Sequence, residues 1–242
     1  MKHYIPDMKP NVIRLASYNM RKAKGLDQKR LPERTLSVIN QLDADVVVLQ
    51  EADRRHGIRE PAIARELIEV ETDFQLVEVS SNSVSLGWHG NAVLVRNGYK
   101  VSHVERLDLP GLEPRGAVRV DIEVGAGFSL IAAHLGLLRQ NRRKQLDEIC
   151  MATAGCAQTV IAGDFNEWSK NRGLEPLSER FDIHAPGLTF HARRPMASLD
   201  RFALSNIELR DAGVNQGELA KIASDHLPIW CDIEIPSAPP IC

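Results

Sequence analysis

The stretch VIAGDFNEW, Val160 to Trp168, opens as an apolar run and then sets Asp164 and Asn166 directly after Gly163 and ahead of an aromatic residue. The run reads as a buried strand, so the carboxylate and the amide sit at its very end. Working outward, the same form recurs. VIRLASYN (12–19) ends in Asn19, DVVVLQE (45–51) ends in Glu51, and FSLIAAH (128–134) ends in His134. RFALS follows directly on Asp200, and LPIWCDIEI follows on Asp225 and His226. Strand ends carry sites because the loops there present side chains from a rigid support, so these groups are expected to share one rim.

Between the strand runs, Pro32 suits the first turn of a helix, and Leu36, Ile39 and Leu42 recur at helical spacing before DVVVLQ. Further strands are expected at FQLVEV (74–79), NAVLVR (91–96), AVRVDIEV (117–124) and IELRDAGV (207–214). Helices are expected from about Arg139 to Ala154 and near Leu174 to Arg180. The sheets implied are mixed, and strands dominate the second half. SSNSVSLGWHG (80–90) is a polar loop long enough to cover a substrate.

The 242 residues, 43% hydrophobic and 26% charged, are the profile of a globular α/β chain. No Pro/Gly/Ser-rich linker, charge block or internal repeat divides it, so one domain over 1–242 is expected, with its core at about 12–235. A net charge of −2 argues against binding nucleic acid through bulk electrostatics, and leaves room for a local basic patch such as RQNRRKQ (139–145). MKHYIPDMKP lacks an apolar core of signal-peptide length, and no uncharged run approaches the roughly 20 residues that span a bilayer. Cys150, Cys156, Cys231 and Cys242 show neither zinc-site spacing nor the density of a disulfide scaffold. A cytoplasmic location with reduced thiols is the expectation, and no obligate protein partner is implied.

Carboxylate and amide oxygens suit a hard divalent cation, and Mg²⁺ in particular takes one or two carboxylates while keeping waters and substrate oxygens. Glu51 fits that role. Histidine titrates near neutral pH and can hold a phosphate oxygen or move a proton, which fits His226 beside Asp225. Taken singly, each group has an ordinary reading: Asp164 as a turn former or helix cap, Glu51 as a solvated strand end, His134 as a core histidine, SDH as a polar turn. Together they fit metal-assisted phosphoester chemistry.

In this order SYN, LQE, HGNAVLV, AAHLG, GDFN, SLDRF and SDHLP resemble the motif series of the endonuclease/exonuclease/phosphatase (DNase I-like) superfamily. That superfamily includes DNase I-like nucleases, abasic-site endonucleases, neutral sphingomyelinases and inositol polyphosphate phosphatases. The match runs from Asn19 to Pro228. It implies a four-layer α/β sandwich, two packed, mostly antiparallel mixed sheets flanked by helices, with the active site at one end. By the same resemblance, Glu51 with Asn19 and Asp225 would form the metal site, for Mg²⁺ with Mn²⁺ as a substitute. Asp164 and Asn166 would orient and activate the attacking water. His226, oriented by Asp200, would contact the phosphate or act as acid/base, and His134 would be a second phosphate contact or the leaving-group acid. Gly163 would let the backbone approach the substrate closely.

Arg115, Asn91 and Arg139 are the expected substrate-binding residues. For the helix carrying Arg139, Arg142, Arg143 and Lys144, a solvated face is the competing reading, and for Arg115 a surface ion pair. Trp88 is read as a packing residue, and Trp168 is left open between packing and stacking.

The chain departs from two branches. Abasic-site endonucleases carry an acidic residue where Arg21 stands and a tyrosine where His134 stands. Inositol phosphatases carry tryptophan and cysteine where this chain reads Ala197-Ser198-Leu199. The resemblance therefore points to uncharacterised bacterial relatives and to phosphodiester hydrolysis, nuclease-like, on a phosphate-ester substrate with nucleic acid among the candidates. The alternatives are the same chemistry on a phospholipid head group or small phosphate ester, and a catalytically silent binding module that keeps the fold.

Overall fold

A computed structural model of the chain describes residues 11–55, 57–169 and 172–237. The N-terminal ten residues and Cys242, on which part of the reading above rests, lie outside them. Four strands open the chain: β1 (Val12–Asn19), β2 (Val46–Gln50), β3 (Phe74–Leu76) and β4 (Ala92–Arg96). Six follow as a second group: β5 (Lys100–Leu109), β6 (Arg115–Glu123), β7 (Phe128–His134), β8 (Thr159–Asp164), β9 (Asp182–His184) and β10 (Asp200–Ser205). The last two, β11 (Glu208–Val214) and β12 (Ile229–Glu234), return to the first group.

The strands form two six-stranded sheets, ordered β11-β12-β1-β2-β4-β3 and β5-β6-β7-β8-β10-β9. Each sheet holds one parallel pair at its centre, β1 with β2 and β7 with β8, and is otherwise antiparallel. Helices α1 (Pro32–Asn40) and α2 (Arg65–Glu71) cover the outer face of the first sheet, and α3 (Arg139–Ala152) that of the second. A single turn, α4 (Ala220–Ala223), precedes Ser224.

Side chains alternate between the faces of a strand, and this alternation builds the layers. Ile13 and Leu15 of β1, Leu130 and Ala132 of β7, Val160 and Ala162 of β8, and Phe202 and Leu204 of β10 all face between the sheets. The intervening residues face the helices: Ala16 and Tyr18 lie against α1, and Ile131, Ile161 and Ala203 lie against α3. Continuing each inward stripe by two residues reaches His134, Asp164 and Asp200, and on β1 the stripe runs through Ser17 to Asn19. The dry layer between the sheets therefore ends in polar groups on four strands, in register: His134 is paired across from Asp164, and Asp164 across from Asp200.

The expected four-layer sandwich is present, with differences in detail. β5 escaped the sequence reading because Lys100, His103, Glu105, Arg106 and Asp108 break its apolar pattern. It is an edge strand, where charge discourages pairing with another chain. Its bulge between Val101 and His103 breaks the alternation further. Of FQLVEV only Phe74–Leu76 is strand, and the expected helix near Leu174 is a single 3₁₀ turn, Glu175–Leu177. Helix α2 and strand β9 were not foreseen.

Gly163 is needed where β7 and β8 meet. A Cβ at this position, where φ is +151°, would lie 1.8 Å from the Ala133 carbonyl oxygen of β7. This close approach is between neighbouring strands. We expect Gly163→Ala to cost about 3 kcal/mol by forcing apart a paired backbone, measured as a shift in the urea unfolding midpoint at unchanged slope.

Candidate active site

Asp164 is the centre of the rim. It is 1% exposed, and its Oδ2 accepts a hydrogen bond from Asn19 Nδ2 at 3.0 Å, which joins the two sheets. The same oxygen lies 3.4 Å from His134 Nε2 and 3.7 Å from His226 Nε2. Its Oδ1 accepts the Asn166 backbone N–H at 2.9 Å. Asn166 takes a left-handed backbone, φ +52°, and its Nδ2 donates to the Leu135 carbonyl at 2.9 Å. That bond ties the loop after β8 to the loop after β7 and leaves Asn166 Oδ1 uncommitted to it.

His226 Nδ1 lies 2.8 Å from Asp200 Oδ2, and both are buried. Asp164, Asp200 and His226 bring ligand atoms within 4.8 Å of one another. Asp200 Oδ1 has no partner among the described residues. Burial works against the charged form of His226, yet the Asp200 and Asp164 carboxylates outweigh it and raise its pKa to about 10. Burial lifts Asp164 to about 6, with His226 opposing and Asp200 assisting. His134 is held well below its ordinary value by burial, then by the charges of Arg115, His226, Lys22 and Arg55. The two histidines thus differ in charge at neutral pH, one cationic and one neutral.

Glu51 directly follows β2 in the left-handed region, φ +54°, and pairs with Lys22, whose backbone N–H donates to the Glu51 carbonyl. Arg21 Nε lies 3.3 Å from Asp225 Oδ2. The Arg21 N–H donates to Asn19 Oδ1, and Ser224 Oγ donates to the Asn19 carbonyl. Glu51, Asp225 and Asn19 therefore gather around one turn. Both carboxylates are about a quarter exposed and each faces one flexible basic side chain. An all-oxygen set in which lysine and arginine can yield to a small cation fits a hard divalent metal.

The substrate-binding expectations fare differently. Arg115 is mostly buried, bonded to Glu113 at 2.8 Å, with its Nε unpartnered among the described residues, and its charge is felt at His134. Asn91 is wholly buried, and its Nδ2 donates to the Trp88 and Gly116 carbonyls, which closes a loop, while its Oδ1 has no partner among the described residues. Arg139 is turned to Glu167, at 2.8 and 3.1 Å, rather than to the rim.

Glu167 is the residue that the sequence reading quoted without using. It is 1% exposed and accepts from Arg139 and, at 2.6 Å, from buried Arg142. Arg142 also donates to the Gly136 and Leu137 carbonyls. The basic helix is therefore more than a solvated face, because Arg139 and Arg142 hold Glu167 and Arg142 joins the loops after His134 and Asn166. Although burial acts to raise it, Arg139 and Arg142 with the Ser169 N–H bring Glu167 down to about 2.

Two measurements test this geometry. A carboxylate with a depressed pKa stabilises the fold fully above its unfolded value, 4.5, and loses that contribution as pH falls toward about 2. Glu167→Gln should therefore cost about 3 kcal/mol at pH 7, and the gap from wild type in urea unfolding should close as pH falls through this window. Asp200→Asn should lower the His226 pKa by about 1 to 3 units, toward its ordinary value, followed by NMR titration of the imidazole.

Residues 16–226 match the endonuclease/exonuclease/phosphatase family. No curated protein sequence matches the chain. Among solved structures, an endonuclease/exonuclease/phosphatase from Beutenbergia cavernae is 20% identical with a TM-score of 0.73, covering 96% of this chain and 73% of that one. A humanized D. rerio TDP2 is 18% identical with a TM-score of 0.73, covering 93% and 99%. A mannosyl-6-phosphatase from Bacteroides thetaiotaomicron is 14% identical with a TM-score of 0.70, covering 92% and 100%. The fold agrees with these structures over most of the chain, and Asn19, Glu51, His134, Asp164, Asp200 and His226 fall within the matched span: the chain belongs to the endonuclease/exonuclease/phosphatase family, whose members are hydrolases of phosphate esters.

Proposed function

We propose that the chain is a divalent-metal-dependent phosphodiesterase, acting by in-line attack of water on phosphorus. The observation that carries the reading is the position of Asp164 within reach of Asn19, His134 and His226 at the buried end of both sheets. Asp164, with a pKa of about 6, is suited to take a proton from water near neutral pH, and Asn166 Oδ1 can orient that water. The water oxygen bonds to phosphorus as the ester P–O bond breaks, its proton passing to Asp164, and the leaving alkoxide takes a proton from solvent water.

His226, kept cationic by Asp200 and Asp164, can hold a phosphoryl oxygen through Nε2. A neutral His134 can donate one hydrogen bond but is poorly suited to give up a proton, which favours phosphate contact over leaving-group acid. Glu51, Asn19 and Asp225 would hold Mg²⁺, or Mn²⁺ in its place, and the bound ion would neutralise charge growing on the phosphoryl and leaving oxygens. Three free cysteines, Cys150, Cys156 and Cys231, fit a reducing compartment such as the cytoplasm. Among the described residues no helix is long and apolar enough to cross a membrane.

A phosphate monoester is the second reading, in keeping with the mannosyl-6-phosphatase among the similar structures. The experiment compares wild type with Asp164→Asn in nicking supercoiled plasmid and in releasing phosphate from sugar monophosphates, each with Mg²⁺ and with chelator. We expect nicking that requires the metal and falls roughly 10²- to 10⁴-fold in the variant. Equal nicking by both proteins, or phosphate release as the sole metal-dependent activity, overturns the phosphodiesterase reading.

A further inference from the structure

Trp168 directly follows Glu167, in a loop fixed on both sides of it. The Glu167 and Ser169 carbonyls both accept from Nη2 of buried Arg201 at 2.8 Å, and the Ser169 N–H donates to Glu167 Oε1 at 2.8 Å. The Glu167 carboxylate is itself held by Arg139 and Arg142. Despite this bracket, Trp168 is 60% exposed. A tryptophan serving as a packing anchor would be turned down by such a frame, whereas this one is held out.

Its ring stands edge-on to Phe190, with centroids 5.9 Å apart and planes at 80°. Phe190 in turn lies tilted against His226, with centroids 5.0 Å apart. Backbone bridges to Ala197 and to His226 fix Phe190 in that place. An aromatic path thus leads outward from the imidazole that the phosphodiesterase reading puts on the phosphate. On the His134 side lie Arg115, Lys22 and Arg55, each paired with a carboxylate, Glu113 for the two arginines and Glu51 for the lysine. A phosphate held between the two histidines would compete there for these paired cations and meet an open indole beyond His226.

We propose that Trp168 is a stacking platform for a nucleobase, backed by Phe190, and that the substrate is a nucleotide-bearing phosphodiester. The inference rests on the phosphodiesterase reading. A base offers a planar π-face to the indole and phosphates to the cations, so one ligand chemistry uses both features. A lipid would need a broad aliphatic surface. Exposed aliphatic side chains do occur on the loops of the rim, Leu188 and Met196 in the chain near Phe190 and Leu112, Leu137 and Leu138 in the loops beside Arg115 and His134, so the choice of a base over a lipid rests on the Trp168–Phe190 aromatic pair.

The test uses a short fluorescently labelled single-stranded oligonucleotide, titrated in chelator so that no turnover intervenes. Binding should quench tryptophan fluorescence in wild type. Trp168→Ala should abolish most of that quench and weaken binding about 10-fold, and Trp168→Phe should restore most of the affinity. With metal present, the loss of kcat/KM in Trp168→Ala should be about 10-fold greater on the oligonucleotide than on a baseless phosphodiester of the same charge. Equal losses on both substrates, or unchanged binding in Trp168→Ala, overturn the stacking role. Failure of the phosphodiesterase reading looks different, because wild type then turns over neither diester.

Discussion

Burying Asp164 at the end of a dry layer between two sheets is the constraint on which the rest of the rim depends. A carboxylate removed from water must gain donors or become neutral. Asn19 supplies one donor from the other sheet and the Asn166 backbone supplies another, while the His226 imidazolium supplies charge. Asp200 is then required to keep His226 charged in a site whose burial opposes it. The chain of dependence runs through four segments far apart in sequence: strand register places Asn19, Asp164 and Asp200, while Asn166 and His226 reach them from loops.

The same logic explains why the loop after β8 is built as it is. Asn166 must leave the strand in a left-handed turn to reach the Leu135 carbonyl, and an unsupported turn of that kind is poorly populated. Glu167 supplies the support, with Arg142 joining it to the Gly136 and Leu137 carbonyls beside His134. The clamp is itself a buried ion pair, costly to break because one charge would be left unpaired, although a whole pair of this kind gains little over well-packed apolar side chains. Its worth lies in holding two loops at one separation.

Much of this was legible in the sequence. The apolar runs of VIRLASYN, FSLIAAH and VIAGD read as strands, so Asn19, His134 and Asp164 could be placed at strand ends, and hence on a common rim, without knowing the pairing. Where an apolar run stops is a property of a single strand and survives in one dimension. What could not be read were pairings between distant segments. The partners of Arg139 and Arg142 depend on how close α3 runs to the loop after β8, and Gly163 depends on the spacing between β7 and β8. β5 was missed because an edge strand is written in charges that also spell a loop. The fate of Asn91, committed to the Trp88 and Gly116 carbonyls, likewise follows from a turn geometry that side-chain type does not announce.

The bond between Asn19 and Asp164 spans 145 residues of chain and crosses from one sheet to the other. Neither half of the polypeptide holds a working set of groups by itself. During synthesis the second sheet cannot be completed before β10 emerges, and His226 arrives later still, just ahead of the final strand. A chain cut short before His226 would hold Asp200 without the imidazole it faces, so the polar rim exists as a whole only where the two sheets and the segment ahead of β12 have come together.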